Sequence, residues 1–277
     1  MSMEEKQWNV ISLGAGVQSS TMALMATKGL ITPKPDFAIF ADTQDETPKV
    51  YQWLDWIETQ LDFPLYRVTK GSLSKASLTM RESKKGLKYS TVSIPLYTLN
   101  SNGSAGMVTF RNCTRDFKIK PILKELRTRC KVKRGQKHTT VTSWIGISHD
   151  ERQRMKNSRD PWVVNRWPLV EMRMTRAACK NWMQENGYPE PPRSSCVFCP
   201  FHSNDEWRRL KVQEPEEFEK AVEFERLMQI NRATPNSSKP FLHPALKPLG
   251  QIDFSNDVDR GQGLLGFMDE CEGMCGI

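Results

Sequence analysis

A short apolar strand, Val10-Ile11-Ser12-Leu13, runs without a linker into Gly14-Ala15-Gly16-Val17-Gln18-Ser19-Ser20-Thr21 and then into an apolar helical run. This junction constrains the fold more than any other segment, because the chain must reverse sharply at the end of a buried strand. Glycine lets the backbone turn and brings successive N–H groups to one place. The first N–H groups of the helix have no partner within it, and the helix dipole adds positive potential there. Such a turn suits the oxygens of a phosphate chain. Ser19, Ser20 and Thr21 add hydroxyls at the same point. The loop lacks the lysine of the G-x-x-x-x-G-K-[ST] pattern, so it is not an ordinary kinase-type loop. A tight strand-to-helix turn without a ligand uses the same residues, and both readings stand here.

The first half of the chain alternates strand and helix signals. The strand over 8–13 leads to a helix over 19–28, closed by Gly29. Phe37-Ala38-Ile39-Phe40 reads as a strand ending at Asp42. Thr47 then caps a helix with Pro48 at its first position and Tyr51, Leu54, Ile57 and Leu61 as its buried stripe. Leu65-Tyr66-Arg67-Val68, the run from Thr142 to Ile147, and Val163-Val164-Asn165 read as further strands. This alternation predicts an α/β fold, a mostly parallel doubly wound sheet with helices on both faces. Ligands of such sheets sit outside the carboxyl ends of the strands. The Gly14 loop, Asp42 and the segment from Gly146 to Arg154 all fall there. Residues 70–112 are polar and rich in Ser, Gly and Asn, and read as a long lid or substrate loop. A helix from Thr175 to Asn186 ending at Gly187, a Pro-rich break, and a helix starting at Pro215 follow.

With 277 residues the chain is long enough to bury a proper core. No apolar run approaches the roughly 20 residues that span a bilayer, so no membrane partner is expected. The polar, acidic stretch from Met1 to Trp8 is unlike a signal peptide, which leads us to expect a cytoplasmic protein. Seven cysteines then argue for metal or reactive thiols over a disulfide framework. Net charge is +8, and from Arg111 to Lys137 eleven Lys or Arg residues face only Asp116 and Glu125. That run reads either as a solvated helix face and loop or as a surface for nucleic acid or another anionic acceptor. In the second case Arg127, Arg129, Lys131, Lys133, Arg134 and Lys137 are the phosphate contacts.

Cys196-x-x-Cys199, followed by Pro200, is the clearest metal signal, although a redox dithiol has the same spacing. Cys179, between Ala178 and Lys180 on a helix, reads as a small core residue. Cys130, amid basic residues, has a lowered thiol pKa if it is exposed. His138, His149 and His243 show no partner pattern and read as surface or structural residues.

Several segments resemble one superfamily. Residues 10–21 are similar to the S-G-G-x-D-S loop of the adenine-nucleotide alpha-hydrolase (PP-loop) superfamily, with Gln18 where that pattern has aspartate. Ala41-Asp42-Thr43-Gln44-Asp45-Glu46-Thr47-Pro48 resembles the D-T-G-x-E-x-P strand end of the phosphoadenylylsulfate (PAPS) reductase branch. Cys113-Thr114-Arg115-Asp116-Phe117-Lys118 with Pro121 resembles its cysteine–lysine segment. Gly146-Ile147 with Asp150, Glu151 and Arg154 is similar to its G-x-R-x-D-x-S-x-x-R region. Ser195-Cys196-Val197-Phe198-Cys199-Pro200-Phe201 resembles the C-x-x-C-P segment of PAPS-reductase-like and DNA-phosphorothioation sulfurtransferase proteins.

The resemblance implies a PP-loop, Rossmann-like domain over residues 1–170 and a helical, cysteine-bearing region over 171–277 packed on it. It implies ATP or an adenylyl nucleotide, with Mg2+, held by Ser12, Gly14, Ala15, Gly16, Gln18, Ser19, Ser20, Asp42, Glu46 and Gly146. Lys118, Arg152 and Arg154 are the implied charge neutralisers. Cys113, Cys196, Cys199 and Cys271 are implied ligands of a [4Fe–4S] cluster, with zinc on Cys113, Cys196, Cys199 and His202 as the alternative. Glu270-Cys271-Glu272-Gly273 is similar to the E-C-G tail of PAPS reductases, so Cys271 or Cys275 is the implied nucleophile or sulfur carrier. The implied activity is adenylation of an acceptor with sulfur transfer or reduction, served by a sulfur or electron donor protein. The alternatives are a sulfonucleotide reductase and, from another class, a zinc-stapled nucleic-acid-binding protein without turnover.

Overall fold

The computed structural model describes residues 6–82, 84, 86, 88–90, 94–99, 104–108, 112–231 and 239–255. In chain order the elements begin β1 (Trp8–Ser12), α1 (Val17–Thr27), β2 (Phe37–Asp42), α2 (Pro48–Gln60) and β3 (Leu65–Thr69). Short pieces follow: α3 (Leu73–Leu78), β4 (Met80–Glu82), β5 (Lys88–Ser90), β6 (Leu96–Leu99) and β7 (Ala105–Val108). Next come a π-helical turn over Thr114–Ile119, α4 (Lys120–Arg129), β8 (Val141–Ile145), a 3-10 turn over His149–Arg154 and β9 (Val163–Arg166). The described chain continues through α5 (Pro168–Glu171), α6 (Arg176–Glu185), α7 (Asn204–Gln213) and α8 (Pro215–Asn231). Contacts divide it into two compact units, residues 1–70 with 116–194, and residues 71–115 with 195–277.

The first unit carries a five-stranded, wholly parallel sheet in the order β3-β2-β1-β8-β9. Its strands alternate side chains between two apolar layers, as the two-residue period of a pleated strand requires. Ile11, Ala38, Phe40, Leu65 and Trp144 face one way, into a core with α1, α2 and α6. Val10, Phe37, Ile39, Val141 and Val163 face the other way, against Leu126 and Cys130 of α4 and its end. This is the expected doubly wound α/β arrangement. Trp53 and Val50 join Leu54 and Ile57 as the buried face of α2, while Tyr51 and Leu61 pack at its margin. Gly29 and Gly187 hold positive φ of 73° and 71° just beyond α1 and α6, closing each helix as the sequence indicates. α6, placed in the C-terminal region from sequence, packs on α1 and belongs to this unit.

The second unit is built from α3, α7, α8 and two antiparallel ladders, β4 with β5 and β6 with β7. The polar stretch over 70–112 is therefore not one continuous loop. Strands of three or four residues are too short to show a period, so the sequence conceals them. Phe198 stacks on Phe224 with ring centroids 3.9 Å apart, and Trp207 contacts Phe218 and Phe254. The buried Glu225 carboxylate accepts the N–H groups of Leu242 (2.8 Å) and Leu249 (2.7 Å), pinning the segment after α8. His243, also buried, donates from Nε2 to Asn204 (2.8 Å) and accepts the Ala245 N–H at Nδ1 (3.1 Å), a structural role. Among the described residues no helix is long and apolar enough to cross a membrane.

Candidate functional site

From β1 the chain builds outward to β2 and β3 on one side, then returns to place β8 and β9 on the other. Strand order thus reverses between β1 and β8, the position at whose carboxyl ends open parallel sheets bind ligands. The loop Gly14-Ala15-Gly16 leaves β1, and Gly146 is the first residue after β8. The two are in direct contact: a Cβ at Gly146 would stand 2.7 Å from Ser19 Cα and 2.8 Å from Ser19 N. Only glycine permits that approach.

The start of α1 is unusual. Gly16 is its N-cap, in extended conformation, with no side-chain cap and no acidic residue in the first turn. Yet Val17, Gln18, Ser19 and Ser20 are all buried. A helix start sequestered from solvent without capping partners keeps its N–H donors and its positive potential for an anion. Ser19 clasps the loop, its Oγ accepting the Gly14 N–H (3.0 Å) and donating to the Gly16 carbonyl (3.3 Å). Ala15 is buried at φ 58°, a left-handed conformation that costs a non-glycine residue energy and persists only where surroundings enforce it. Beside Gly16 there is open space: a methyl group added there would have no atom within 4 Å.

Of the three hydroxyls at this start, one remains at the loop. Ser20 turns into the core and accepts the Trp53 indole N–H (3.0 Å), and Thr21 donates to the Val17 carbonyl (2.9 Å). The side chain of Ser20 is thus committed to packing, and its backbone N–H donates to the Gly16 carbonyl (3.0 Å), so Ser20 keeps no donor for a ligand.

Gln18 sits at the centre of a polar network. It donates from Nε2 to Glu151 (3.2 Å) and accepts from Arg176 Nη1 (3.2 Å), while Glu151 pairs with Arg154 (2.7 Å). Asp150 accepts the Arg176 backbone N–H at the start of α6 (3.1 Å). Burial pushes the Glu151 carboxyl above its ordinary value, with Arg154 opposing. The network accounts for glutamine where the PP-loop pattern has aspartate: an amide serves a carboxylate and a guanidinium together, whereas a second carboxylate repels Glu151. Gln18→Asp is expected to destabilise the fold by about 1 kcal/mol, and adding Glu151→Gln to recover most of it. Urea unfolding of both single variants and the pair tests this; equal losses with and without Glu151 refute the coupling. Arg176 was invisible in the sequence, because it lies in no motif and meets Gln18 only through helix packing.

Ser12 and Asp42 are the last residues of β1 and β2. Asp42 Oδ1 accepts the Gln44 N–H (2.7 Å) and the Tyr51 hydroxyl (2.9 Å). Burial first, then Asp42, hold the Tyr51 phenol un-ionised, with its pKa raised. Glu46 is fully buried, its carboxylate receiving Lys118 Nζ (3.3 Å) and the Ser194 hydroxyl (3.3 Å). Lys118 lies in the π-helical turn, a local widening that often marks functional positions. Glu46 therefore positions Lys118, a pairing no sequence motif announces. Arg152 approaches His149 Nε2 at 3.4 Å and stays outside the Gln18 network.

The cysteines divide differently. Cys130 is buried, and desolvation outweighs Lys6 and Arg129, so its thiol is pushed up to about 12 and is inert; exposure, the condition for reactivity, is not met. Cys179 is in the core as expected, also pushed up to about 12 by burial. Cys196 and Cys199 share a tight turn, with the Cys199 N–H on the Cys196 carbonyl (2.9 Å). His202 Nε2 donates to that same carbonyl (3.0 Å), and its ring lies edge-on to Trp207. Among the described residues, no group of three or more His, Cys, Asp or Glu side chains is placed to hold a metal ion. Neither the cluster set nor the zinc set on Cys113, Cys196, Cys199 and His202 is thus assembled there. Cys271 and Cys275 lie outside the described residues.

No protein-family model matches the chain, and no curated protein matches it. Among solved structures it is similar to the phosphoadenylyl-sulfate (PAPS) reductase from Candida auris in its phosphate complex. The likeness has a TM-score of 0.39 and 15% sequence identity, covering 69% of this chain and 76% of that chain.

Proposed function

We propose that the chain is an adenine-nucleotide-dependent enzyme of the PP-loop type, with the nucleotide phosphates at the start of α1. The observation that carries this reading is the buried, uncapped helix start at the point where strand order reverses, with open space beside Gly16. N–H groups from Gly16 to Ser19 supply the anion seat, the Ser20 N–H being taken by the Gly16 carbonyl, and Asp42 at the neighbouring strand end faces the nucleoside. Magnesium enters with ATP as part of the substrate, bound chiefly by the phosphates.

With ATP, an acceptor oxygen attacks the α-phosphorus, the bond from that phosphorus to the bridging oxygen breaks, and pyrophosphate leaves. The acceptor proton passes to solvent or to a neighbouring base. Preorganised N–H donors and Lys118 and Arg154 stabilise the growing negative charge. Adenylation converts a poor oxygen leaving group into AMP, which a sulfur nucleophile then displaces. The iron–sulfur part of the expected chemistry has no ligand set among the described residues. Reduction of a sulfonucleotide shares the same anion seat and is the second reading, because the seat has no lysine that would specify a triphosphate.

The test is calorimetric titration with MgATP and with adenylyl sulfate, alongside assays for pyrophosphate and for sulfite. ATP binding with pyrophosphate release, weakened at least about tenfold in Ser19→Ala, supports adenylation. Sulfite release from adenylyl sulfate with a thiol reductant supports the second reading. Failure of both nucleotides to bind refutes the site.

A further inference from the structure

The basic run between Arg111 and Lys137 resolves into two classes of cation. Arg127 pairs with Asp160 (3.1 Å) and lies over the Trp162 ring. Arg129 pairs with Glu125 (2.6 Å) and stacks on Tyr66, 3.3 Å from the ring centroid. Lys120 pairs with Asp116 (2.7 Å). Lys120 is thus paired within its own helical segment, while the two arginines hold α4 on the sheet, so Arg127 and Arg129 are already engaged. Lys124, Lys131, Lys133, Arg134 and Lys137 are different: all are exposed, and none has a carboxylate partner among the described residues.

Four of the five sit on the closure of α4 and the turn that follows it. Gln136 donates its N–H to the Lys133 carbonyl (3.2 Å) and accepts the Lys133 N–H at Oε1 (3.0 Å), with Gly135 at φ 78°. The end of α4 repeats the closure seen at α1 and α6, with Val132 N–H on Arg127 O (3.0 Å). At the position where those helices have Gly29 and Gly187, this one has Lys131, held at φ 52°. A left-handed lysine is a strained choice where glycine is the easy one.

The turn lies far from the anion seat. It leads into the first residue of β8, and Thr140 O accepts the N–H of Trp8, the first residue of β1. It is therefore at the amino ends of the strands, about 13 Å along β1 from the carboxyl ends. No large exposed apolar side chain lies between residues 124 and 137, which removes the anchors that a membrane or a protein partner would grip. We infer that this face is a docking surface for a nucleic-acid backbone, read through phosphates and without base contacts. The inference stands apart from the nucleotide site.

The probes are a labelled DNA duplex and an RNA duplex of the same sequence, titrated by fluorescence anisotropy across a salt series. With five cations on phosphates, the slope of log K against log salt on DNA is expected near about −4.5, so affinity falls about five-hundredfold from 50 to 200 mM. The combination Lys131→Gln, Lys133→Gln, Arg134→Gln and Lys137→Gln should reduce the slope to about −1. Lys131→Gly alone should lower the slope by about one while leaving the melting temperature unchanged or raised, which separates binding from folding. Tighter binding of one duplex names the nucleic acid. No binding to either duplex, an unaltered slope in the fourfold variant, or binding only to phosphatidylserine vesicles overturns the inference. Loss of MgATP binding with retained DNA binding would count against the nucleotide site alone.

Discussion

Gly146→Ala is expected to destabilise the first unit by about 3 kcal/mol, whereas Gly16→Ala leaves its stability nearly unchanged. The contrast follows from what each added methyl meets. At Gly146 it meets the Cα and N of Ser19 at 2.7 and 2.8 Å, main-chain atoms that cannot rotate away. Relief requires moving either the first turn of α1 or the loop after β8, and both are held, by Ser19 on Gly14 and by Gln18 on Glu151. At Gly16 the methyl meets nothing within 4 Å, and the backbone is extended, a conformation alanine adopts without strain. If that space receives phosphate oxygens, Gly16→Ala must weaken nucleotide binding while the fold stays intact. Urea unfolding of both variants, followed by MgATP titration of Gly16→Ala, checks both halves. A Gly16→Ala protein that binds nucleotide normally would show the open space to be merely space. A Gly146→Ala protein of wild-type stability would disprove the backbone contact.

The fold of the first unit was readable because its signals are local and repeated. Phe37-Ala38-Ile39-Phe40 and Val10-Ile11 are apolar on both faces, as strands buried between two helical layers must be, and Thr47-Pro48 announces α2. The same signals put the Gly14 loop, Asp42 and Gly146 at the carboxyl end of the sheet, since a parallel sheet puts those loops at one end. What could not be read was partnership. Ser20 looks like a loop hydroxyl until Trp53 arrives from α2, and Glu46 looks like a ligand until Lys118 arrives from 72 residues away. One element was missed despite a signal: Ser203-x-x-Glu206 is a helix-start pattern, and Ser203 indeed accepts the Glu206 N–H at the head of α7. Trp207 and Leu210 alone gave α7 too thin an apolar stripe to stand out.

The departure at Gln18 and the pairing of Glu46 share one logic. Each answers a carboxylate with a cation, Glu151 with Arg154 and Glu46 with Lys118. For Glu46 the answer is Lys118, and removing it should be costly. Lys118→Met is expected to destabilise the protein by about 3 kcal/mol, the lower part of the range for a broken buried pair, because the lysine reaches solvent. Glu46 has no exposed side-chain surface, so once Lys118 is gone its carboxylate keeps Ser194 and no cation in contact. Adding Glu46→Gln removes the stranded charge and should recover most of the stability, since an amide still accepts from Ser194. The double variant then isolates function from folding. If Lys118 only ties the π-helical turn to the segment before α2, the stable double variant binds and turns over nucleotide as wild type. If Lys118 neutralises phosphate charge, the double variant is stable yet slow, with the loss in kcat larger than the change in KM. Unfolding curves for the three variants and turnover for the double variant decide between these; an unstable double variant would mean that Glu46 is not what Lys118 answers.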